Sequence, residues 1–159
     1  MVGGEDGKII LAGLGKADSV SAHDYRKAGA AVFASIKKIH GNDFTVRFSN
    51  AGVAHMAAFA EGMMLRDYSY NHYKMKDEDS EDDESIKQIR LACNEKEAGE
   101  LTAMVENYRG VAKGVHLSRD LGNCPPNDMY PEEFADRAYE WAKQYDCLLY
   151  TSPSPRDRG

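Results

Sequence analysis

The sequence predicts an α/β fold in which short apolar strands alternate with amphipathic helices. Two observations support it. Residues 8–15 form an apolar run that ends in glycines, and residues 44–48 alternate apolar with polar side chains, so both read as strands. Residues 22–40 and 51–67 have the apolar spacing of helices, and residues 86–92 form a third strand. Such alternation predicts parallel neighbouring strands joined by right-handed crossovers.

Ordinary turn and capping signals separate the first strand from the first helix. The glycines at the end of residues 8–15 predict a plain turn, because a dinucleotide fingerprint would need a glycine where Asp18 stands. A phosphate loop would likewise need serine or threonine where Ala17 stands. Ser21 and Asp24 have the spacing of a capping box, which predicts that the helix begins at about residue 22.

The second helix is followed by an aromatic cluster and an acidic run. Tyr68, Tyr70 and Tyr73 are predicted to lie in a core or an interface rather than to stack on a ligand. Residues 77–84 contain seven acids and no base, so the net charge of −6 belongs to this run. A calcium loop would need glycine where Asp82 stands, and the run is therefore predicted to be a solvated surface loop.

A long helix and a proline-rich turn dominate the second half of the chain. Residues 95–121 keep helical spacing over roughly 40 Å, which exceeds the face of a small sheet and predicts a link between two domains. Gly122 and the following prolines end this helix. Pro131 begins another helix that runs to about Gln144, and residues 147–150 are predicted to start a strand.

Composition limits the classes of function. The chain of 159 residues is 42% hydrophobic, which is enough for a core, and has 26 acidic against 20 basic residues. That balance argues against a general nucleic-acid binder, and no apolar stretch is long enough for a membrane helix. The N-terminus lacks the pattern of a signal peptide. Three scattered cysteines fit a reducing compartment, so a cytoplasmic location is predicted.

The residues themselves offer little chemistry. The five histidines lack metal-ligand spacing, and Cys124 with His116 is better explained by packing than by a thiol nucleophile. The densest signal is a helix stop, an Asn/Pro turn and a new helix start, and nothing in it implies catalysis. Its residues are Arg119, Asp120, Leu121, Asn123, Pro126, Asn127 and Pro131.

Residues 117–135 closely resemble the domain junction of the leucyl aminopeptidase (cytosol aminopeptidase) family. There the pattern Arg-Asp-Leu, Asn, Pro, Asn, Pro and Ala recurs at the same spacings. Residues 10–16, 25–29 and 61–65 resemble successive landmarks of that family's N-terminal domain, as do Tyr68, Tyr70, Tyr73 and Lys74. The resemblance covers residues 8–148, with the landmarks in the family's order.

The resemblance implies a macro-domain-like three-layer N-terminal α/β domain, here with an incomplete sheet, followed by a long linking helix. The implied boundaries are residues 1–94 for the partial N-terminal domain, 95–122 for the linking helix and 123–148 for the start of the catalytic domain. Residues 149–159 resemble a foreign tail. The family also implies a metal-dependent exopeptidase, typically a homo-hexamer, which uses two divalent metals (Mn, Zn or Mg) to cleave N-terminal residues from peptides.

The sequence departs from the family where the chemistry lies. The family's Lys-containing Gly-rich segment and its Asn-Thr-Asp-Ala-Glu-Gly-Arg motif are both missing, so no catalytic, cofactor-binding or metal residue is assigned to this chain. We therefore expect an aminopeptidase fragment that is inactive alone, with no nucleic-acid or membrane partner. Two alternatives remain open: a stand-alone macro-like module that binds a nucleotide or ADP-ribose, and a structural oligomerisation domain.

Overall fold

The computed structural model describes residues 2–4, 7–16, 19–39, 43–73 and 88–150. Its elements in chain order are β1 (Val2–Gly4), β2 (Gly7–Ile9), α1 (Ala22–Ile36), β3 (Asp43–Arg47), α2 (Val53–Arg66), β4 (Gln88–Ala92), α3 (Glu95–Asn123) and α4 (Pro131–Gln144). The chain forms two compact units, Met1–Leu117 and Ser118–Gly159. The predicted acidic loop at residues 77–84, Lys74 and residues 151–159 of the predicted foreign tail lie outside the described residues.

The sheet of the first unit confirms the predicted α/β class. Strands β3 and β4 pair in parallel, with Asp43 opposite Gln88, and α2 lies between them in sequence. Both strands alternate exposed with half-buried residues, and the inward side chains Phe44, Val46 and Ile89 pack against the core. Residues of α1, α2 and α3 form the two buried clusters against which inward-facing residues of this sheet pack. The three-layer arrangement stays a prediction.

The first predicted strand differs in extent and in partner. Only Gly7–Ile9 of this region is extended, and it pairs antiparallel with Val2–Gly4 in a separate two-stranded sheet. Only two residues separate β1 from β2, which suits an antiparallel pair. The backbone N–H and C=O groups of β2 therefore bond to β1, and not to a parallel strand. Ile10 and Leu14 still pack against the core, although they lie outside a strand.

Helix α1 begins as predicted and ends four residues earlier than predicted. The Ser21 hydroxyl donates to the Asp24 carboxylate at 2.6 Å, and the Ser21 backbone N–H donates to the same carboxylate at 3.0 Å. These bonds lower the pKa of Asp24 below its ordinary value, and the hydroxyl contributes most. After Ile36 the chain tightens into turns, in which Ile39 N–H donates to the Ile36 carbonyl at 2.9 Å.

Replacing Ser21 with alanine should raise the pKa of Asp24 towards its ordinary value, because the largest cause of the lowering is removed. A lowered folded-state pKa means that ionised Asp24 stabilises the fold above its ordinary pKa, and that this stabilisation is lost as the pH falls through the folded pKa. Titration of the Asp24 carboxylate by NMR measures the shift. Ser35→Ala is the matched control, because the Ser35 hydroxyl bonds the Ala31 carbonyl instead. An Asp24 pKa that is equal in the wild type and in Ser21→Ala would contradict this account.

The core of the first unit is a close crossing of α1 and α2. Both helices present a glycine at the contact, where a Cβ on Gly29 would overlap the Phe59 carbonyl oxygen. A Cβ on Gly62 would likewise overlap the Arg26 carbonyl oxygen. The two backbones therefore approach more closely than helices with side chains at these positions could. Phe33 and Phe59 are among the buried residues that surround the crossing.

An ion pair spans the same crossing. Arg26 on α1 donates from Nε to the Glu61 carboxylate on α2 at 2.7 Å, and its Nη2 lies 2.6 Å from the same oxygen. The Glu61 side chain is only 9% exposed, whereas that of Arg26 is 34% exposed. The buried carboxylate thus has a charged, hydrogen-bonded partner, without which its burial would be costly.

The N-terminal part of helix α3 belongs to the first unit and contributes to its core. Its Leu101 is buried with Met56 and Ala57 of α2, and Leu91 of β4 packs against this cluster. The helix has 29 residues and begins at the predicted residue, Glu95. It extends to Asn123, two residues beyond its predicted end. Its length corresponds to roughly 43 Å at 1.5 Å per residue, in line with the predicted long helix.

The second unit contains the end of α3, a turn and α4. Helix α4 spans Pro131–Gln144, as predicted from its N-terminal proline and apolar spacing. The predicted strand at residues 147–150 is wrong, since these residues are irregular and exposed. A strand needs a hydrogen-bonded neighbour, and the structure describes none beside them.

Candidate functional site

The junction between α3 and α4 is the strongest candidate from the sequence, and in the structure it is a hydrogen-bonded turn. The Cys124 N–H donates to the Asp120 carbonyl at 3.0 Å as α3 ends. The Pro125 carbonyl then accepts from the N–H groups of Asp128 and Met129, at 3.0 and 2.9 Å. Proline lacks an N–H and cannot continue a helix, so residues 125 and 126 force the chain into this turn.

The start of α4 explains why Pro131 stands where it does. It is the first residue of the helix, where its missing N–H would have had no intrahelical partner. Tyr130 occupies the N-cap without a side-chain cap bond, and Glu132 and Glu133 lie in the first turn, where the helix dipole favours acids. The Phe134 N–H closes the first turn on the Tyr130 carbonyl at 3.0 Å.

The predicted junction residues lie on the surface of this unit. Leu121 is half-buried, and the other residues of the set are exposed: Arg119, Asp120, Asn123, Pro126, Asn127 and Pro131. The Asn127 amide donates to the Asp128 carboxylate at 2.9 Å within the turn. In this turn the motif's residues form the connection between α3 and α4. The structural interpretation of the motif stays a prediction.

The part of the chain that the structure describes contains no candidate metal site. Within those residues no three His, Cys, Asp or Glu side chains come together in a way that could hold a metal ion. None of the three cysteines, all of which the structure describes, forms a disulfide, and Cys124 is half-buried. Among the described helices, none is both long and apolar enough to cross a membrane.

The predicted aromatic cluster divides into two groups. The Tyr68 ring lies 5.3 Å from the His116 ring of α3, so it joins the end of α2 to the linking helix. His116 Nε2 is buried and has no hydrogen-bond partner among the described residues. The rings of Tyr70, His72 and Tyr73 form a cluster in which each ring contacts the other two, and Tyr73 is half exposed. Tyr68 thus takes a packing role, as its prediction stated.

The glycine-rich segment after the first strand forms a turn. Gly15 has a φ of +92°, in the left-handed region that favours glycine. A Cβ at Gly13 or Gly15 would meet no atom within 4 Å, so these glycines serve the backbone conformation rather than a close contact. The predicted plain turn is in keeping with this geometry.

Comparison with known proteins identifies the chain. Residues 2–77 match the family model for the N-terminal domain of the cytosol aminopeptidase family. A protein named "Probable cytosol aminopeptidase" from Rhizobium etli is 38% identical over 137 residues, which cover 84% of this chain and 27% of that protein. A protein of the same name from Rhizobium leguminosarum bv. trifolii is 37% identical over 140 residues, or 86% of this chain and 28% of that one.

The chain belongs to the cytosol aminopeptidase family. The family relationship confirms the resemblance read from the sequence, and the family is one of hydrolases that act as aminopeptidases. The chain spans about 27% of the length of the curated relatives it matches.

Two solved structures share the fold of this chain. The bottromycin maturation enzyme BotP matches with a TM-score of 0.69 and 26% identity, over 90% of this chain and 30% of that one. A structure of BotP in complex with Mn matches with a TM-score of 0.66 and 27% identity, over 84% of this chain and 27% of that one.

Two cytosol aminopeptidase landmarks that are far apart in sequence meet in the fold. Residues 25–29 supply Arg26 and Gly29, and residues 61–65 supply Glu61 and Gly62. These four residues form the glycine contacts and the ion pair of the α1–α2 crossing. Sequence reasoning had treated the two stretches as separate landmarks. A glycine inside each helical pattern was the available signal, since glycine lowers helix stability and a close approach of another backbone can require it.

Proposed function

We propose that this chain supplies the N-terminal domain, the linking helix and the first catalytic-domain helix of a cytoplasmic, metal-dependent leucyl aminopeptidase. The observation that carries the proposal is the extent of the similarity. An alignment that covers 84% of the chain must include α3 and every junction residue, because no window of that size can avoid them. The similarity therefore extends beyond the matched N-terminal domain at residues 2–77.

The proposal assigns the metal chemistry to the part of such an enzyme that follows α4. The described residues of this chain do not fit a two-metal site, because no three potential ligands come together among them. Divalent metals (Mn, Zn or Mg) would supply a water of lowered pKa and stabilise the developing oxyanion. The structure of BotP in complex with Mn supports metal use among similar proteins. No step of the reaction is assigned to a residue of this chain.

In this proposal the chain has a structural role: it forms a packed N-terminal domain and connects that domain to the catalytic domain. The α1–α2 crossing builds a tightly packed first unit, and α3 leads from its core cluster at Leu101 to the junction turn. A helix transmits position better than a flexible linker, because its backbone hydrogen bonds keep its length constant. On the basis of the family alone, we also propose that the enzyme forms a homo-hexamer and that its substrates are peptides.

Transplantation of this chain into an active relative tests the proposal. Residues 1–148 would replace the aligned segment of the Rhizobium etli relative, and both proteins would be assayed with leucine amide and Mn²⁺. We expect the chimera to keep hydrolysis within about tenfold of its parent, and the 159-residue chain alone to show no turnover above background. Purified parent and chimera are compared at equal concentration, and circular dichroism verifies that each is folded.

Two outcomes would overturn parts of the proposal. Metal-dependent turnover by the chain alone would show that it carries a site of its own. A folded chimera without activity, beside an active parent, would show that the chain cannot serve as the N-terminal part of such an enzyme.

A further inference from the structure

We draw no further inference here: the strongest candidate, the exposed apolar face formed by Phe134 and Trp141 of α4 with Tyr145 at its C-cap, carries nothing because nothing in the structure shows what covers it.

Discussion

Replacing Gly62 with alanine should destabilise the first unit by about 1–3 kcal/mol, the range of a substitution that overpacks a core. The new Cβ would overlap the Arg26 carbonyl oxygen, which belongs to the backbone of α1 and cannot rotate away. The two helices must therefore separate, and their separation loosens the contact at Gly29 as well. Urea unfolding of the full chain, followed by circular dichroism at 222 nm, measures the loss as a lower midpoint.

The same substitution on α3 is the matched control. Gly110 lies in the interior of α3, and a Cβ there would meet no atom within 4 Å. Gly110→Ala should therefore stabilise the chain by about 0.5–1 kcal/mol, the difference in helix propensity between the two residues. The two variants should move the unfolding midpoint in opposite directions. A Gly62→Ala variant as stable as the wild type would show that the crossing is looser than the structure describes.

Replacing Arg26 with methionine should lower the free energy of unfolding by about 2–3 kcal/mol. The change leaves the buried Glu61 carboxylate without its charged partner, and breaking a buried pair in this way costs about 3–5 kcal/mol. We expect a loss of stability below that range because the Arg26 side chain is 34% exposed, and solvent therefore screens part of its interaction with Glu61. Methionine retains much of the arginine stem and its helix propensity, so the change mainly removes the charge and its hydrogen bonds. Urea unfolding again provides the measurement.

An exposed ion pair serves as the control for this second prediction. Arg109 lies 3.4 Å from Glu106 on α3, and both side chains are more than half exposed. Arg109→Met should change the stability by less than about 0.5 kcal/mol, because exposed pairs contribute little. Adding Glu61→Leu to Arg26→Met should recover most of the loss, since an apolar pair can replace a buried ion pair. If the double variant is no more stable than Arg26→Met alone, the unpaired carboxylate is not the cause of the loss.

The effects of Gly62→Ala and Arg26→Met on stability should be coupled. Gly62 contacts the backbone of Arg26, whose side chain holds the neighbouring Glu61, so the glycine contact and the ion pair share one residue. We expect the losses of Gly62→Ala and Arg26→Met to be non-additive, because the first change already disturbs the second site. Gly110 lies on α3 and should act independently of both.

Much of the local structure could be predicted from the residues. The capping box at Ser21 placed the start of α1 correctly, and Pro131 placed both the start and the type of α4. The parallel pairing of β3 with β4 followed from the strand–helix–strand order. The end of α1 and the strand predicted at residues 147–150 could not be placed, because helix ends fray and a strand depends on a neighbour that is distant in sequence.

For the candidate site too, local features could be predicted from the sequence and long-range contacts could not. The junction motif was found as a helix stop, a turn and a helix start, since proline and glycine act on their own backbone. The α1–α2 crossing was missed as a contact, although both of its stretches had been noted. Arg26 and Glu61 are 35 residues apart, and no spacing rule within one helix relates them.

The α/β class and the family of the chain could be predicted from the residues alone, as could three helix starts, at Ala22, Glu95 and Pro131. These features follow from signals that act within a few residues, or from a pattern that homologues share. The pairing of residues 7–9 with β1 became evident only in the folded chain, as did the close approach of two helix backbones at Gly29 and Gly62. Such contacts depend on which surfaces meet in space, and a propensity or a period in one segment carries no information about its partner.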